Sequence, residues 1–176
     1  MKPVATFDAR SVLRFGLAVL ERIRANTLKG LDRFGNAFKP YSSKPFAMPA
    51  GALKQKARLA LGKDGVKWFR AASGSMWVVI TGGYVALKSA QRPSGADVNM
   101  SDTGGMLRSM TVVQASATGG VVIGFSRPEM AELAYYHTVS GAGPSRVIRD
   151  FLGLPDNQIE ELAKRELQGG IQVSVK

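Results

Sequence analysis

Residues 134–154 read Ala-Tyr-Tyr-His-Thr-Val-Ser-Gly-Ala-Gly-Pro-Ser-Arg-Val-Ile-Arg-Asp-Phe-Leu-Gly-Leu. This stretch ends one apolar segment, crosses a loop of Gly, Pro and Ser, and presents Arg149, Phe151 and Leu152 just before a further helix. It contains the only histidine of the chain and two of its four tyrosines. Such a stretch can be a catalytic site, a packing centre or an assembly surface.

The residues around it do not form a pattern typical of an enzyme. His137 is the only histidine, and no Asp/Glu cluster has the spacing of metal ligands. No Gly-x-Ser-x-Gly sequence supplies a nucleophile elbow, and the chain has no cysteine. Gly141-Ala142-Gly143 lacks the third glycine and the Gly-Lys of a phosphate loop. We therefore expect no enzymatic activity, metal or cofactor, and we interpret His137 as a hydrogen-bonded histidine at a helix end.

Arginine and aromatic residues are the types most enriched in the energetic centres of protein interfaces. The tyrosines can instead be half-buried packing residues, and Arg149 can be solvated or paired with Asp150 or Glu160. We favour the interface, and the predicted assembly residues of this stretch are Tyr135, Tyr136, Arg149, Phe151 and Leu152.

Two long amphipathic segments frame the chain. Residues 8–31 predict a helix with Asp8 as N-cap and with Gly16 at a close helix crossing. Its predicted buried stripe is Leu13, Leu17, Leu20, Ile23, Leu28 and Leu31. Residues 155–167 predict a second helix, with Pro155 at its start, acids early, Lys164 and Arg165 late, and Gly169-Gly170 after it. Pro128 begins a shorter one.

Between the helices the pattern favours short strands joined by hairpins. Residues 76–81 and 84–88 flank Gly82-Gly83, and residues 111–117 and 121–125 flank a second glycine turn. A helical joint over 102–110, capped by Asp102 or Thr103, separates the hairpins, and residues 171–175 alternate as a terminal strand. We predict one α+β domain over 1–176, with an antiparallel sheet of about five short strands packed by the N-terminal and C-terminal helices.

Residues 35–65 are rich in turn residues and also carry large apolar side chains. We predict an extended loop or arm here. Because apolar groups in a loop need a surface to pack on, Phe38, Tyr41 and Phe46 are predicted partner contacts.

The net charge of +11 is confined to the first part of the chain, since residues 1–75 hold fifteen Lys/Arg and four Asp/Glu. Such a surface attracts nucleic acid or an acidic partner, or it is simply solvated. The predicted face is Lys54, Lys56, Arg58 and Lys63, which lie on a short basic helix within 51–62 or directly after it. Aromatic residues are not interleaved with these cations as a base-stacking platform requires. No signal peptide or membrane span is predicted, so we expect a protein made in a cytoplasm.

Three separated motifs resemble one protein family. They are Gly35-Asn36-Ala37-Phe38-Lys39-Pro40-Tyr41; then Asp102-Thr103-Gly104-Gly105-Met106-Leu107-Arg108-Ser109; then Tyr135-Tyr136-His137 through Gly141 with Arg149-Asp150-Phe151-Leu152-Gly153-Leu154. In this order they resemble the virion morphogenesis, or tail completion, proteins of Mu-like and P2-like tailed phages. Asp150 stands where that family has proline, Thr138-Val139 where it has Gln-Phe, and Phe38 where its first loop has Trp.

The resemblance implies a non-enzymatic virion protein, assembled in the host cytoplasm. It would form a ring, often a hexamer, at the head–tail junction, as a tail completion, tail terminator or neck protein. Its implied partners are further copies of itself, the head–tail connector and tail-tube proteins, and DNA in the channel. The alternative function is a basic nucleic-acid-binding module that contacts DNA through residues 1–75.

Overall fold

The chain folds into two compact units, as a computed structural model shows: unit 1 is Met1–Phe38 with Asn99–Lys176, and unit 2 is Lys39–Val98. The sequence predicts a single domain with an arm. The fold mixes helices with small antiparallel sheets, which confirms the predicted mixture of helix and antiparallel sheet. The structure describes residues 4–91, 98, 100, 104–118, 120–141, 146–168 and 171–174.

Unit 1 consists of helices packed on two small antiparallel sheets. In one sheet β1 pairs with β7, and in the other β5 pairs with β6. Helix α1 packs on the β5–β6 hairpin and on α6. The elements are β1 (Val4–Phe7), α1 (Ala9–Leu28), α4 (Gly105–Ser109), β5 (Met110–Ser116), β6 (Gly120–Phe125), α5 (Pro128–Tyr135), a π-helical turn (Tyr136–Ser140), α6 (Asp156–Leu167) and β7 (Ile171–Ser174).

Helix α1 begins as predicted, because the Asp8 carboxylate accepts a 2.9 Å hydrogen bond from the Ser11 backbone N–H. Its buried face is rotated from the predicted leucine stripe: Leu13, Leu17 and Leu28 are 43%, 48% and 52% exposed. Leu20 and Ile23 of the predicted stripe are buried, and small or polar residues accompany them, namely Ser11, Val12, Gly16, Asn26 and Thr27.

Gly16 explains this rotation. A Cβ atom at this position would lie 2.8 Å from Val121 Cγ1 and 3.4 Å from Val112 Cγ2. The glycine therefore permits a close approach of α1 to the β5–β6 hairpin. The close contact predicted at Gly16 is present, but α1 approaches a sheet there and not another helix.

Unit 2 is a three-stranded antiparallel sheet with helices on one face. The strand order is β2-β4-β3. Buried residues from the sheet and from both helices form one core: Leu53, Ala57, Val66, Val78, Ile80 and Leu87. The elements are β2 (Phe46–Pro49), a 3-10 turn (Ala50–Ala52), α2 (Gln55–Leu61), β3 (Val66–Arg70), β4 (Met76–Ile80) and α3 (Gly83–Gln91).

Unit 2 corrects two predictions. Residues 35–65 are not an arm, because β2 and α2 lie within them and contribute to the core. Residues 84–88 belong to helix α3 and not to a hairpin strand. Strand β4 already pairs with β2 on one side and β3 on the other, so no edge of β4 is left for a hairpin partner. The described residues contain seven strands in three sheets, in place of one sheet of about five.

Several predictions in unit 1 are confirmed. The β5–β6 hairpin, the joint helix α4, the helix after Pro128 and the helix before Gly169 all form. The terminal strand forms as β7, with β1 as a partner that the sequence did not predict. The predicted caps Asp102 and Thr103, the glycines 169–170 and the loop 142–145 lie outside the described residues.

Gly83→Ala tests the start of α3. Gly83 has φ +71°, and a Cβ there would lie 2.4 Å from the Ser43 carbonyl carbon. We expect the variant to lower the free energy of unfolding of unit 2 by more than ~1 kcal/mol. Both tryptophans of the chain, Trp68 and Trp77, lie in unit 2, so urea unfolding followed by tryptophan fluorescence measures it.

Gly51→Ala is the matched control, because nothing lies within 4 Å of a Cβ at Gly51. Its free energy of unfolding should stay within ~0.5 kcal/mol of that of the parent protein. Equal effects of the two substitutions would contradict the assigned helix start.

Candidate functional site

The first and third sequence motifs meet inside unit 1. The Arg33 backbone N–H donates to the Asp150 carbonyl at 2.7 Å, and the two side chains form a 3.5 Å ion pair. The Phe38 N–H donates to the Gly30 carbonyl, also at 2.7 Å. Loop 30–38 and the segment 149–155 are therefore held together by main-chain contacts, with Phe38 and Phe151 buried in the unit.

The second motif is attached to the same unit by Arg24 of α1. Its guanidinium donates to the carbonyls of Leu107, at 3.0 Å, and Met110, at 2.7 Å. These carbonyls lie at the end of α4, where helix carbonyls lack intrahelical partners. Arg24 therefore caps α4 and joins it to α1. The described residues of all three motifs belong to unit 1, except Lys39, Pro40 and Tyr41.

This burial corrects part of the predicted interface. Phe38 is 7% exposed, Arg149 7% and Phe151 1%. Such side chains hold the unit together and cannot also contact a partner. Phe38 and Phe151 pack in the core of their own unit and need no partner surface. Leu152 is half-buried.

His137 lies in the π-helical turn after α5 and is partly buried. Its carbonyl accepts a 2.7 Å hydrogen bond from the Arg149 backbone N–H. Its buried Nδ1 has no hydrogen-bond partner among the described residues, contrary to the prediction for this side chain. Burial, and secondarily the positive charge of Arg149, lowers the pKa of His137. The ring is therefore neutral at physiological pH and contributes to packing.

Apolar side chains on α5 and the π-helical turn face solvent. Tyr135 and Tyr136, predicted as contacts, are 53% and 47% exposed, and their rings lie 6.2 Å apart. Of the neighbouring residues Leu133 and Ala134, Ala134 is buried and Leu133 is 40% exposed. We define the α5 surface as Leu133, Tyr135, Tyr136 and Val139. Exposed apolar clusters of this kind are typical of interaction sites.

In unit 2, the predicted contacts Tyr41 and Phe46 are partly buried against their own unit. The ring of Tyr84 on α3 lies 5.1 Å from that of Tyr41, edge to face, and 5.9 Å from that of Phe46. These aromatic contacts stabilise the approach of the 41–46 segment to α3. The two residues therefore take part in the packing of unit 2, and their predicted contact with a partner stays a prediction.

The predicted basic face is exposed and belongs to unit 2, as Lys54, Lys56, Arg58 and Lys63 all do. Residues 39–98 contain ten Lys/Arg and two Asp/Glu, a formal charge of +8 out of the +11 of the chain. The Arg58 guanidinium carbon lies 4.9 Å from the centre of the Trp68 ring. Arg58, Lys63 and Trp68 also line a shallow cavity of about 280 Å³.

Strand β3 is the part of this face that the sequence analysis missed. Lys67, Trp68, Phe69 and Arg70 are consecutive and all exposed. Side chains alternate along a strand, so Trp68 and Arg70 lie on one side of the sheet and Lys67 and Phe69 on the other. Each side therefore carries one aromatic and one basic residue of β3, contrary to the expectation from the sequence. The run Val-Lys-Trp-Phe-Arg is rich in strand-forming residues and could have indicated this strand. It follows the basic helix closely in sequence.

Within the described residues, no group of three His, Asp or Glu side chains could hold a metal ion. No helix in that part of the chain has both the length and the apolar character needed to cross a membrane. The two candidate surfaces are the α5 surface of unit 1 and the basic face of unit 2.

Phe151→Ala tests whether the third motif is a core element. Removing a fully buried phenylalanine should lower the free energy of unfolding of unit 1 by about 3–5 kcal/mol. Ile148→Ala is the control, since Ile148 is 55% exposed, and its effect should stay below ~0.5 kcal/mol. Urea unfolding followed by far-ultraviolet circular dichroism measures both; a stable Phe151→Ala variant would refute the core assignment.

His137 gives a pH dependence with a defined sign. Its pKa in the folded protein lies below the ordinary value of 6.5, so the unfolded chain binds the proton more tightly. The free energy of unfolding should therefore fall as the pH decreases below 6.5, with no contribution above it. Asp8, whose pKa is lowered from 3.8, titrates only in more acidic solution.

His137→Gln should remove this slope, which is measured by urea unfolding between about pH 7.5 and about pH 5. His137 is the only histidine, so no other imidazole can replace its titration. Identical slopes in the parent and the variant would show that His137 titrates normally.

Comparisons of the chain with protein-family models, with curated proteins and with solved structures found no match. The motifs in unit 1, the α5 surface and the basic face of unit 2 therefore carry the functional proposal.

Proposed function

We propose that this protein is a non-enzymatic structural component of a tailed-phage virion. It assembles into a ring, with six copies as the expected number, at the head–tail junction. There it completes or terminates the tail for joining to the head, in contact with head–tail connector and tail-tube proteins. The observation that carries the proposal is the α5 surface, whose four exposed side chains lie in the third of the motifs that resemble the phage family or just before it.

The positions of the three motifs support the resemblance. They are far apart in sequence, yet most of their described residues belong to unit 1. Arg24 of α1 holds the second motif, and Arg33, just before the first motif, holds Asp150 of the third. In this interpretation the buried motif residues maintain the shape of unit 1, and the exposed side chains of the third motif make the contacts between copies.

The geometry of a ring gives the α5 surface a defined part. In a ring each copy contacts its two neighbours through two different patches, and the ring closes when the rotation between copies divides a full turn. The α5 surface is proposed as one of these two patches. The α5 surface supplies tyrosines, which are enriched in the centres of protein interfaces. The hydroxyl of Tyr136 donates to a Glu132 carboxylate oxygen at 3.2 Å, so its ring is already oriented before any partner binds.

Ring assembly is tested by light scattering coupled to size-exclusion chromatography and by negative-stain imaging. We expect the parent protein to form a closed oligomer, and the double variant Tyr135→Ser, Val139→Ser to lose it while keeping its circular dichroism spectrum. Both replaced side chains are more than half exposed, so the fold should tolerate the change.

Leu59→Ser is the matched control, because Leu59 is 74% exposed and belongs to unit 2. It should leave the oligomer intact; loss of the oligomer in this control alone would move the interface to unit 2. A parent protein that stays monomeric at high concentration, also when mixed with connector and tail-tube proteins, would refute the proposed function.

A further inference from the structure

The sheet of unit 2 has one face that no described element of this unit covers. Val66, Val78 and Ile80 point to the face on which α2 and α3 pack. Because side chains alternate along a strand, the intervening residues point to the opposite side, and the register places Phe69 opposite Trp77 and Lys67 opposite Val79. We define the open face as Ala47, Pro49, Lys67, Phe69, Trp77 and Val79.

Two aromatic rings lie at the centre of the open face. The rings of Phe69 and Trp77 have centroids 6.5 Å apart and an angle of 30° between their planes. Phe69 is 42% exposed, and Trp77 is partly buried. In an edge-to-face pair, the edge of one ring covers a face of the other ring. At an angle of 30° between the planes, neither ring covers a face of the other in this way. The pair therefore presents aromatic surface to solvent, a costly arrangement unless a ligand uses it.

One cation shares the face of this aromatic pair, and others lie along the same strand. Lys67 precedes Phe69 by two residues and shares its face. Arg70 ends β3, and by the alternation of side chains it points, like Trp68, to the side of α2. Arg58 and Lys63 also lie on that side, around Trp68. Unit 2 as a whole contains ten basic and two acidic residues. The ligand that fits this surface is a polyanion that also has flat, unstacked rings.

We propose that the open face of unit 2 binds single-stranded nucleic acid, with bases stacked on Phe69 and Trp77 and phosphates along Lys67 and the β3 edge. Stacking on aromatic side chains beside a basic groove is the general mode of single-strand binding. In a duplex the bases are stacked on each other, so these rings cannot reach them. This inference does not depend on ring assembly through unit 1.

A second copy of the chain fits this surface less well. Antiparallel pairing of β3 with another β3 would bring Lys67 and Arg70 of one copy close to the same cations of the other. Like charges opposite one another destabilise a sheet, and lysine on an edge strand opposes such pairing.

The chain contains its own reporter for this binding. Trp68 and Trp77 are its only tryptophans, and only Trp77 belongs to the open face. In a Trp68→Phe variant, Trp77 is therefore the single tryptophan. Titration with an oligothymidine of about 16 nucleotides should quench its fluorescence, and a duplex of equal length should bind more weakly and quench less.

Two pairs of variants separate stacking from general charge attraction, with fluorescence anisotropy of a labelled oligothymidine as the readout. Phe69→Thr keeps a strand-forming residue and should weaken binding about 5- to 100-fold. Val122→Thr, at an exposed valine of β6 in unit 1, should have no effect. Lys67→Glu should weaken binding more than Lys164→Glu, although both change the net charge equally.

The outcomes that would overturn the proposal are specific. Equal affinity for duplex and single strand, or equal loss in Lys67→Glu and Lys164→Glu, would reduce the surface to non-specific phosphate attraction. Absence of binding at low salt would exclude nucleic acid as the ligand. A self-association that Phe69→Thr abolishes, without nucleic-acid binding, would assign the open face to a protein interface.

Discussion

The hydrogen bond from the Arg149 backbone N–H to the His137 carbonyl connects the two sides of the 134–154 stretch. It positions the chain so that Phe151 and Leu154 enter the core of unit 1. The next contact, from the Arg33 N–H to the Asp150 carbonyl, attaches the loop after α1 to the same segment. Without these two bonds, the backbone groups would lose their partners, and the core would lose Phe151 and Leu154, the two most deeply buried side chains of the third motif.

This arrangement divides the residues of the third motif into two roles. Arg149 and Phe151 are buried within the unit, while Tyr135, Tyr136 and Val139 are exposed. The pairing of Arg149 with the His137 carbonyl occurs in a π-helical turn, where the wider winding directs residues differently from an α-helix. The same segment therefore can stabilise the fold and offer an assembly surface, but with different side chains.

The sequence predicted elements well where local signals were sufficient. Asp8 capped α1, Pro128 began α5, and the glycine turn joined β5 to β6. It failed where tertiary context decides. Residues 84–88 alternate like a strand, but both sides of β4 are occupied by β2 and β3, so the segment forms a helix. Apolar periodicity could not show that Gly16 would turn α1 towards the β5–β6 hairpin.

Residue type alone did not distinguish interface residues from core residues. Large aromatic residues such as Phe38 and Phe151 serve interfaces and cores equally well, and only the fold shows that these two are buried. The excess charge was assigned to residues 1–75, whereas its natural boundary is unit 2, whose +8 leaves +3 for the rest of the chain. The excess charge thus follows unit 2, whereas the α5 surface belongs to unit 1. Because the two features belong to different compact units, each can be tested by substitutions that leave the residues of the other unchanged.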